Sequence, residues 1–317
     1  MGGKIFAHLK PPLSTPRMPP ALYTSLRSQY LSLLSALYTQ VGTPIEAPEK
    51  PSYGDIDILV ADPISPPPST SLSTALGAKA SLTAPASPAT SYAVPHPELP
   101  NAYVQLDVHV CEPSTFAWEL FHHSHGDLWN ILGSTIRIFG LTANNVGLQL
   151  RIPEIDTLDR RQSLLHLTSD ADAVLDFLRL DRRGRWRAFA SVEELFAYAA
   201  STRFFRKEAY VRDTLKANDR KRMAQRELYR RFVEEWVPTF KGDGGEGAEG
   251  LTRKGVLEEA LGVFGKRGEY EERLRKWRAE RGGLSIKQQA NGARRANAVA
   301  DVEYADAWIR ELGRAGS

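Results

Sequence analysis

The chain has a single cysteine, Cys111, among 317 residues. One thiol excludes an internal disulfide framework and an all-cysteine zinc site, and it suits a reducing compartment. Long apolar runs are missing too, since nothing approaches the roughly 18 consecutive apolar residues of a membrane span. The opening stretch MGGKIFAHLKPP has no apolar core of the kind a secretory leader carries. Gly2 meets one requirement of a myristoylation signal, but Phe6 stands where serine or threonine is needed. Charge is nearly balanced, 41 Lys and Arg against 38 Asp and Glu, so any basic surface must come from local clustering. The expectation is a soluble intracellular protein, cytoplasmic or nuclear, with no membrane partner and an oligomeric state that composition leaves open.

A chain of this length accommodates two domains, or one domain with a large appendage. Residues 1–20 are proline-rich and read as extended. Residues 19–40 carry apolar side chains at helical spacing, with Pro20 suited to a first turn. Residues 62–90 read as a Pro/Ser/Ala loop with a short helix at SLSTALGA, and residues 91–110 as two strands around a proline turn. Helix, break and helix are expected over 115–141, then a strand over 144–152 and amphipathic helices at ADAVLDFLRL and VEELFAYAAS. KGDGGEGAEG (241–250) reads as a flexible linker, with helices again beyond it.

The informative stretch is KPSYGDIDILV, Lys50 to Val60. Ile56, Ile58, Leu59 and Val60 read as a strand entering a core, yet Asp55 and Asp57 lie within it, and aspartate is a poor strand former. Side chains two apart share a face, and carboxylates about 4 Å apart repel by about 4 kcal/mol at an effective dielectric near 20. A cation, a lysine or arginine, or plain exposure to water would offset that. In YVQLDVHV, Gln105, Asp107 and His109 share a face opposite Leu106, Val108 and Val110. If this strand pairs beside the first, three carboxylates meet in an oxygen-only site suited to magnesium or manganese rather than zinc. The plainer alternative is that Asp55 merely opens the strand from a turn and Asp107 is unrelated.

Ser52-x-Gly54-Asp55-Ile56-Asp57, followed by a strand bearing Asp107, resembles the polymerase-beta-like nucleotidyltransferase superfamily. FHHSHGDLWN (121–130) resembles the segment after the third aspartate in that superfamily's repair polymerases. The resemblance covers about residues 40–150. It implies an α+β fold with a mixed-sheet palm flanked by helices and a helical C-terminal region. The implied layout is a catalytic domain over 1–155, a basic helical domain over 156–240, the linker over 241–250 and a helical segment over 251–317. It also implies two Mg2+ or Mn2+ ions held by Asp55, Asp57 and Asp107, which would be the catalytic residues, and a nucleoside triphosphate substrate. Asp127 and Asn130 would lie beside its base and sugar.

The superfamily's phosphate-cradling glycine turn has two candidates here, Gly42-Thr43 and Gly2-Gly3-Lys4, with Lys50, Ser52 and Gly54 as further nucleotide contacts. Ser134 stands where templated members place an arginine, and the repair lyase domain is missing, so the resemblance implies transfer without a template.

His96, His109, His122, His123 and His125 cluster in this half, but their spacing fits no standard zinc pattern and local packing explains them as well. Residues 201–231 are rich in Lys and Arg, and Arg206, Lys207, Arg220, Lys221 and Arg222 are candidate contacts to a nucleic-acid backbone. A solvated helix face with internal ion pairs is the alternative. The resulting expectation is transfer of a nucleoside monophosphate to an acceptor hydroxyl, favouring an RNA 3′ end over a protein or small molecule. A retired catalytic fold serving as an RNA-binding or scaffold module is the other reading.

Overall fold

The computed structural model describes residues 5–64, 71–84, 87–210, 217–242 and 250–281. It packs as two compact units. One holds residues 5–44 and Lys50–Phe116; the other holds Ile45–Glu49 and the described residues between 117 and 281. The residues expected to form one catalytic domain over 1–155 are thus shared between the two.

In the first unit, helix α1 (Pro20–Ser35) opens on Pro20, where a missing N–H costs nothing, and buries Leu22, Tyr23, Leu26, Tyr30 and Leu34 along one stripe. A five-stranded mixed sheet is ordered β1-β2-β5-β4-β3. Its strands are β1 (Tyr38–Gly42), β2 (Asp55–Pro63), β3 (Ala80–Thr83), β4 (Ala89–Pro95) and β5 (Tyr103–Val110). Strands β2 and β5 are parallel neighbours, and the other pairings are antiparallel. Ile56, Ile58 and Val60 of β2 and Val104, Leu106 and Val108 of β5 form one core with the α1 stripe, Tyr92 and Val94. Each such side chain contributes about 1.5–3 kcal/mol when fully buried. A one-residue slip of β2 would turn Asp55 and Asp57 into that core, so the apolar face fixes the register.

Two elements differ from the sequence expectation. The helix expected over 19–40 ends at Ser35, and Tyr38–Gly42 pairs with β2 instead. Tyr, Thr and Val in that stretch suit a strand, and the neighbouring β2 edge supplies backbone partners that sequence spacing cannot reveal. The 62–90 stretch contains the expected short helix, α2 (Leu72–Ala75), and also edge strand β3, whose small residues give little periodic signal.

The second unit begins its ordered elements with α3 (Phe116–His123) and α4 (Leu128–Arg137), the helix-break-helix expected. The single strand expected over 144–152 is a hairpin of β6 (Leu141–Asn144) and β7 (Gly147–Arg151), joined by β8 (Leu164–Thr168) in a three-stranded sheet. Gly147 has φ +137°, and a Cβ there would lie 2.2 Å from the Thr168 carbonyl oxygen, so only glycine fits. Helices α5 (Pro153–Asp156), α6 (Ala171–Leu178), α7 (Val192–Ala200), α8 (Ala217–Gln225) and α9 (Glu227–Arg231) follow. A π-helical turn over Phe232–Trp236 precedes α10 (Val237–Thr239). Pro238 has no N–H to donate to Glu234, which favours that wider turn.

Helices α11 (Arg253–Val263) and α12 (Arg267–Arg281) place Val256, Leu257, Leu261, Leu274 and Trp277 in the same core as Leu132, Phe177 and Phe204. The described part of the C-terminal segment is therefore packed into this unit rather than standing apart. Residues 243–249 of the expected linker lie outside the described residues.

Asp219 of α8 is 1% exposed and joins three helices of this unit. Arg137 of α4 donates to both its oxygens at 2.9 and 2.6 Å, Arg222 donates at 3.0 Å and the Ser134 hydroxyl at 3.3 Å. Ser134 lies 2.9 Å from the Tyr229 hydroxyl on α9. Removing one partner of a buried ion pair costs about 3–5 kcal/mol. Asp219→Ala is expected to lose about that much in urea unfolding; a loss within experimental error of zero would contradict this account of the helical packing.

Candidate metal and nucleotide site

The β2–β5 register sets Asp55 beside Gln105 and Asp57 beside Asp107. Neighbouring strands run about 4.8 Å apart, and residues of one parity share a face, so Asp55, Asp57 and Asp107 converge on the sheet face away from α1. Asp57 is exposed, and Asp55 and Asp107 are half-buried. The convergence read from the sequence is thus present in the backbone pairing.

Asp107 is the best supported of the three. Gln105 Nε2 donates to its Oδ1 and Oδ2 at 3.1 and 2.9 Å. Ser91, its register partner on β4, also hydrogen-bonds to it. Burial pushes the Asp107 carboxyl up to about 6, with the negative charge of Asp55 adding to the rise and the bonds from Ser91 and Gln105 opposing it. A raised pKa on an acidic face marks stored electrostatic cost that a cation would relieve. The donor set is carboxylate and amide oxygen only, which fits Mg2+ or Mn2+ better than a softer metal.

The turn leading into β2 is fixed from several sides. Met18 and Tyr53 exchange backbone hydrogen bonds at 2.7 and 2.9 Å. The Tyr53 ring stacks on Tyr23 at 3.8 Å, and the Lys50 ammonium lies over it at 4.8 Å. Arg17 donates through Nε to Ser52 Oγ at 2.8 Å and through Nη2 to the Ser52 carbonyl at 2.6 Å. Lys50, Ser52 and Gly54 therefore share one cationic corner directly before Asp55. Arg17 escaped the sequence reading; its signal, a lone arginine in a proline-rich arm, has no spacing relation to the aspartates.

Gly42 closes β1 opposite Leu59, and the Thr43 hydroxyl donates to the Asp57 carbonyl at 3.0 Å. Gly42-Thr43 thus lies on the strand next to the aspartates, with Val41 and Gly42 in strand rather than turn conformation. Gly2, Gly3 and Lys4 lie outside the described residues.

In the second unit Asp127 immediately precedes α4, and Asn130 Nδ2 donates to its Oδ1 at 3.3 Å, so the two do face one way. The Asp127 carboxylate is also engaged by Arg226 at 2.8 Å and by the Tyr229 backbone N–H at 3.4 Å. As built, it holds α9 against α4.

His96, His122 and His125 serve local packing, whereas His109 groups with Cys111, their ligand atoms within 4.8 Å of each other. His96 Nδ1 accepts from the Glu98 and Leu99 backbone N–H groups, each at 3.2 Å. His122 stacks against Trp118, and His125 packs on Phe189; burial pushes both down to about 4, so they are neutral near pH 7. His109 is buried in register with Leu59, on the parity of Asp107.

The basic segment is less available than its composition indicates. Arg206 donates to the Phe205 carbonyl at 3.0 Å and Lys207 to the Phe240 carbonyl at 2.9 Å, while Arg222 pairs with Asp219. Arg182, Arg183, Arg185 and Arg187 pair with Asp176, Asp181, Asp172 and Glu194. Arg220 and Lys221 are exposed on α8, and Trp186 is 59% exposed.

No protein-family model matches the chain, and no curated protein matches it. Among solved structures it is similar to Leishmania infantum polymerase beta in a ternary P/T complex, at 12% sequence identity and a TM-score of 0.39. That similarity covers 55% of this chain and 77% of the other.

A carboxyl whose pKa is raised on folding binds more protons in the folded state, so metal-free protein loses stability as pH rises from about 4 to about 6. Asp107→Asn is expected to raise the melting temperature in EDTA at pH 8 and to leave it unchanged near pH 3.5. An equal effect at both pH values would show that Asp107 is not held against its ionisation.

Proposed function

We propose that the chain is a metal-dependent nucleotidyltransferase that moves a nucleoside monophosphate from a nucleoside triphosphate onto an acceptor hydroxyl without a template. The observation that carries this reading is the in-register pairing of Asp57 with Asp107, with Asp55 two residues away on the same face. Two divalent cations, when bound, would neutralise triphosphate charge and lower the pKa of the attacking hydroxyl. Asp55, Asp57 and Asp107 are the residues that would hold them.

The protein's own groups divide the remaining work. A bond forms between the acceptor oxygen and the α-phosphorus, the bond from that phosphorus to the bridging oxygen breaks, and pyrophosphate leaves. Asp107, ionised at neutral pH, is the group placed to accept the proton of the attacking hydroxyl. Arg17 and Lys50, fixed beside Ser52 and Tyr53, supply positive charge for the phosphates. Gly42-Thr43, on the strand adjoining β2, and Gly2-Gly3-Lys4 remain the two phosphate-turn candidates. Asp127 and Asn130 are the proposed contacts to base and sugar, a role in which Asp127 would give up its bond from Arg226.

An RNA 3′ end is the acceptor to assay first, with Arg220 and Lys221 as its surface contacts. The engagement of Arg206, Lys207 and Arg222 within their own unit makes broad backbone binding by this segment weak, so a small molecule or a protein hydroxyl belongs in the same assay. The tie between Asp127 and Arg226 favours a second reading, a retired catalytic fold that binds RNA in a salt-sensitive, metal-independent way.

Incubation with labelled nucleoside triphosphates, Mg2+ or Mn2+ and mixed RNA is expected to transfer label. Asp55→Asn with Asp57→Asn should reduce it to background. Undiminished transfer by that double variant would refute the mechanism, and metal-independent RNA binding with no transfer would favour the second reading.

A further inference from the structure

Gln105 is 5% exposed and lies on the parity of Asp107, next to Asp55 across the β2–β5 pair. Its amide nitrogen, Nε2, lies within hydrogen-bond distance of both Asp107 oxygens. That orientation is set by chemistry, because a flipped amide would press its oxygen against a carboxylate. Gln105 Oε1 is left buried with no hydrogen-bond partner. Buried acceptors are almost always satisfied, so an orphan beside three carboxylates calls for a donor. Asp55 and Asp57 offer none when ionised.

Resting on the proposed metal-dependent reaction, we infer that Gln105 is the positioning residue of the third metal ligand. Its Nε2 holds the Asp107 carboxylate in place, and its Oε1 would accept a hydrogen bond from a donor that arrives with the cation. The neighbours explain why a neutral amide serves here. A lysine or arginine beside Asp55 and Asp107 would neutralise the charge that holds a cation, whereas another carboxylate would add repulsion without donating to Asp107. Partners of this kind, one step removed from the metal, change affinity by about 10–100-fold when lost.

The test uses Mn2+ alone as the probe, with free and bound ion distinguished by electron paramagnetic resonance. Wild type, Asp57→Asn, Gln105→Leu and Gln105→Met are titrated in parallel, and each is melted in EDTA. Wild type should bind Mn2+ in a manner abolished by Asp57→Asn. The Gln105 variants should bind Mn2+ at least about tenfold more weakly, and cooperative melting in EDTA shows that they remain folded. A purely structural glutamine leaves the Mn2+ affinity unchanged. Gln105→Leu and Gln105→Met binding within twofold of a wild type that does bind Mn2+ would overturn the inference and leave the metal-dependent reaction standing. Wild type without Asp57-dependent Mn2+ binding would overturn both.

Discussion

Six residue pairings between the parallel strands β2 and β5 decide where Asp55, Asp57 and Asp107 point. Asp57 stands level with Asp107, and burial raises the Asp107 pKa, with the charge of Asp55 on the same face adding to the rise. The register is held from the opposite face, where α1 buries its stripe on Ile56, Ile58, Leu106 and Val108, while on the acidic face Gln105 and Ser91 donate to Asp107.

The surrounding groups follow from that constraint. Burial raises the Asp107 pKa, with a smaller push from Asp55, and the bonds from Ser91 and Gln105 hold the rise back. The Met18–Tyr53 bridge and the Tyr23–Tyr53 stack fix the turn that delivers Asp55, and Arg17 and Lys50 come with it. Positive charge thus lies just before the end of β2 at which the aspartates begin.

Much of this was legible in the sequence because alternation on a strand is a strict rule. Asp55 and Asp57 had to share a face, and so did Gln105 and Asp107; only the pairing of the two strands needed the structure. Gln105 was placed on the right face, but its donation to Asp107 depends on a side-chain rotamer, which spacing does not encode. Arg17 lies 35 residues from the serine it contacts, a distance at which no local pattern operates. The basic segment misled for a related reason. Counting charges in 182–231 registers arginines but not their partners, and Asp172, Asp176, Asp181, Glu194 and Asp219 neutralise many of them through the tertiary fold. Strands β1, β3 and β8 are short and take their stability from neighbours, so their periodicity was too weak to read.

The central claim is that Asp55, Asp57 and Asp107 form one binding cup for divalent cations. The most direct measurement is anomalous scattering from crystals grown with Mn2+ and a non-hydrolysable nucleoside triphosphate. The account requires manganese peaks within coordination distance of all three carboxylates, with the triphosphate reaching towards Arg17 and Lys50. Manganese bound elsewhere, or an Asp107 carboxylate turned away from the metal, would contradict it.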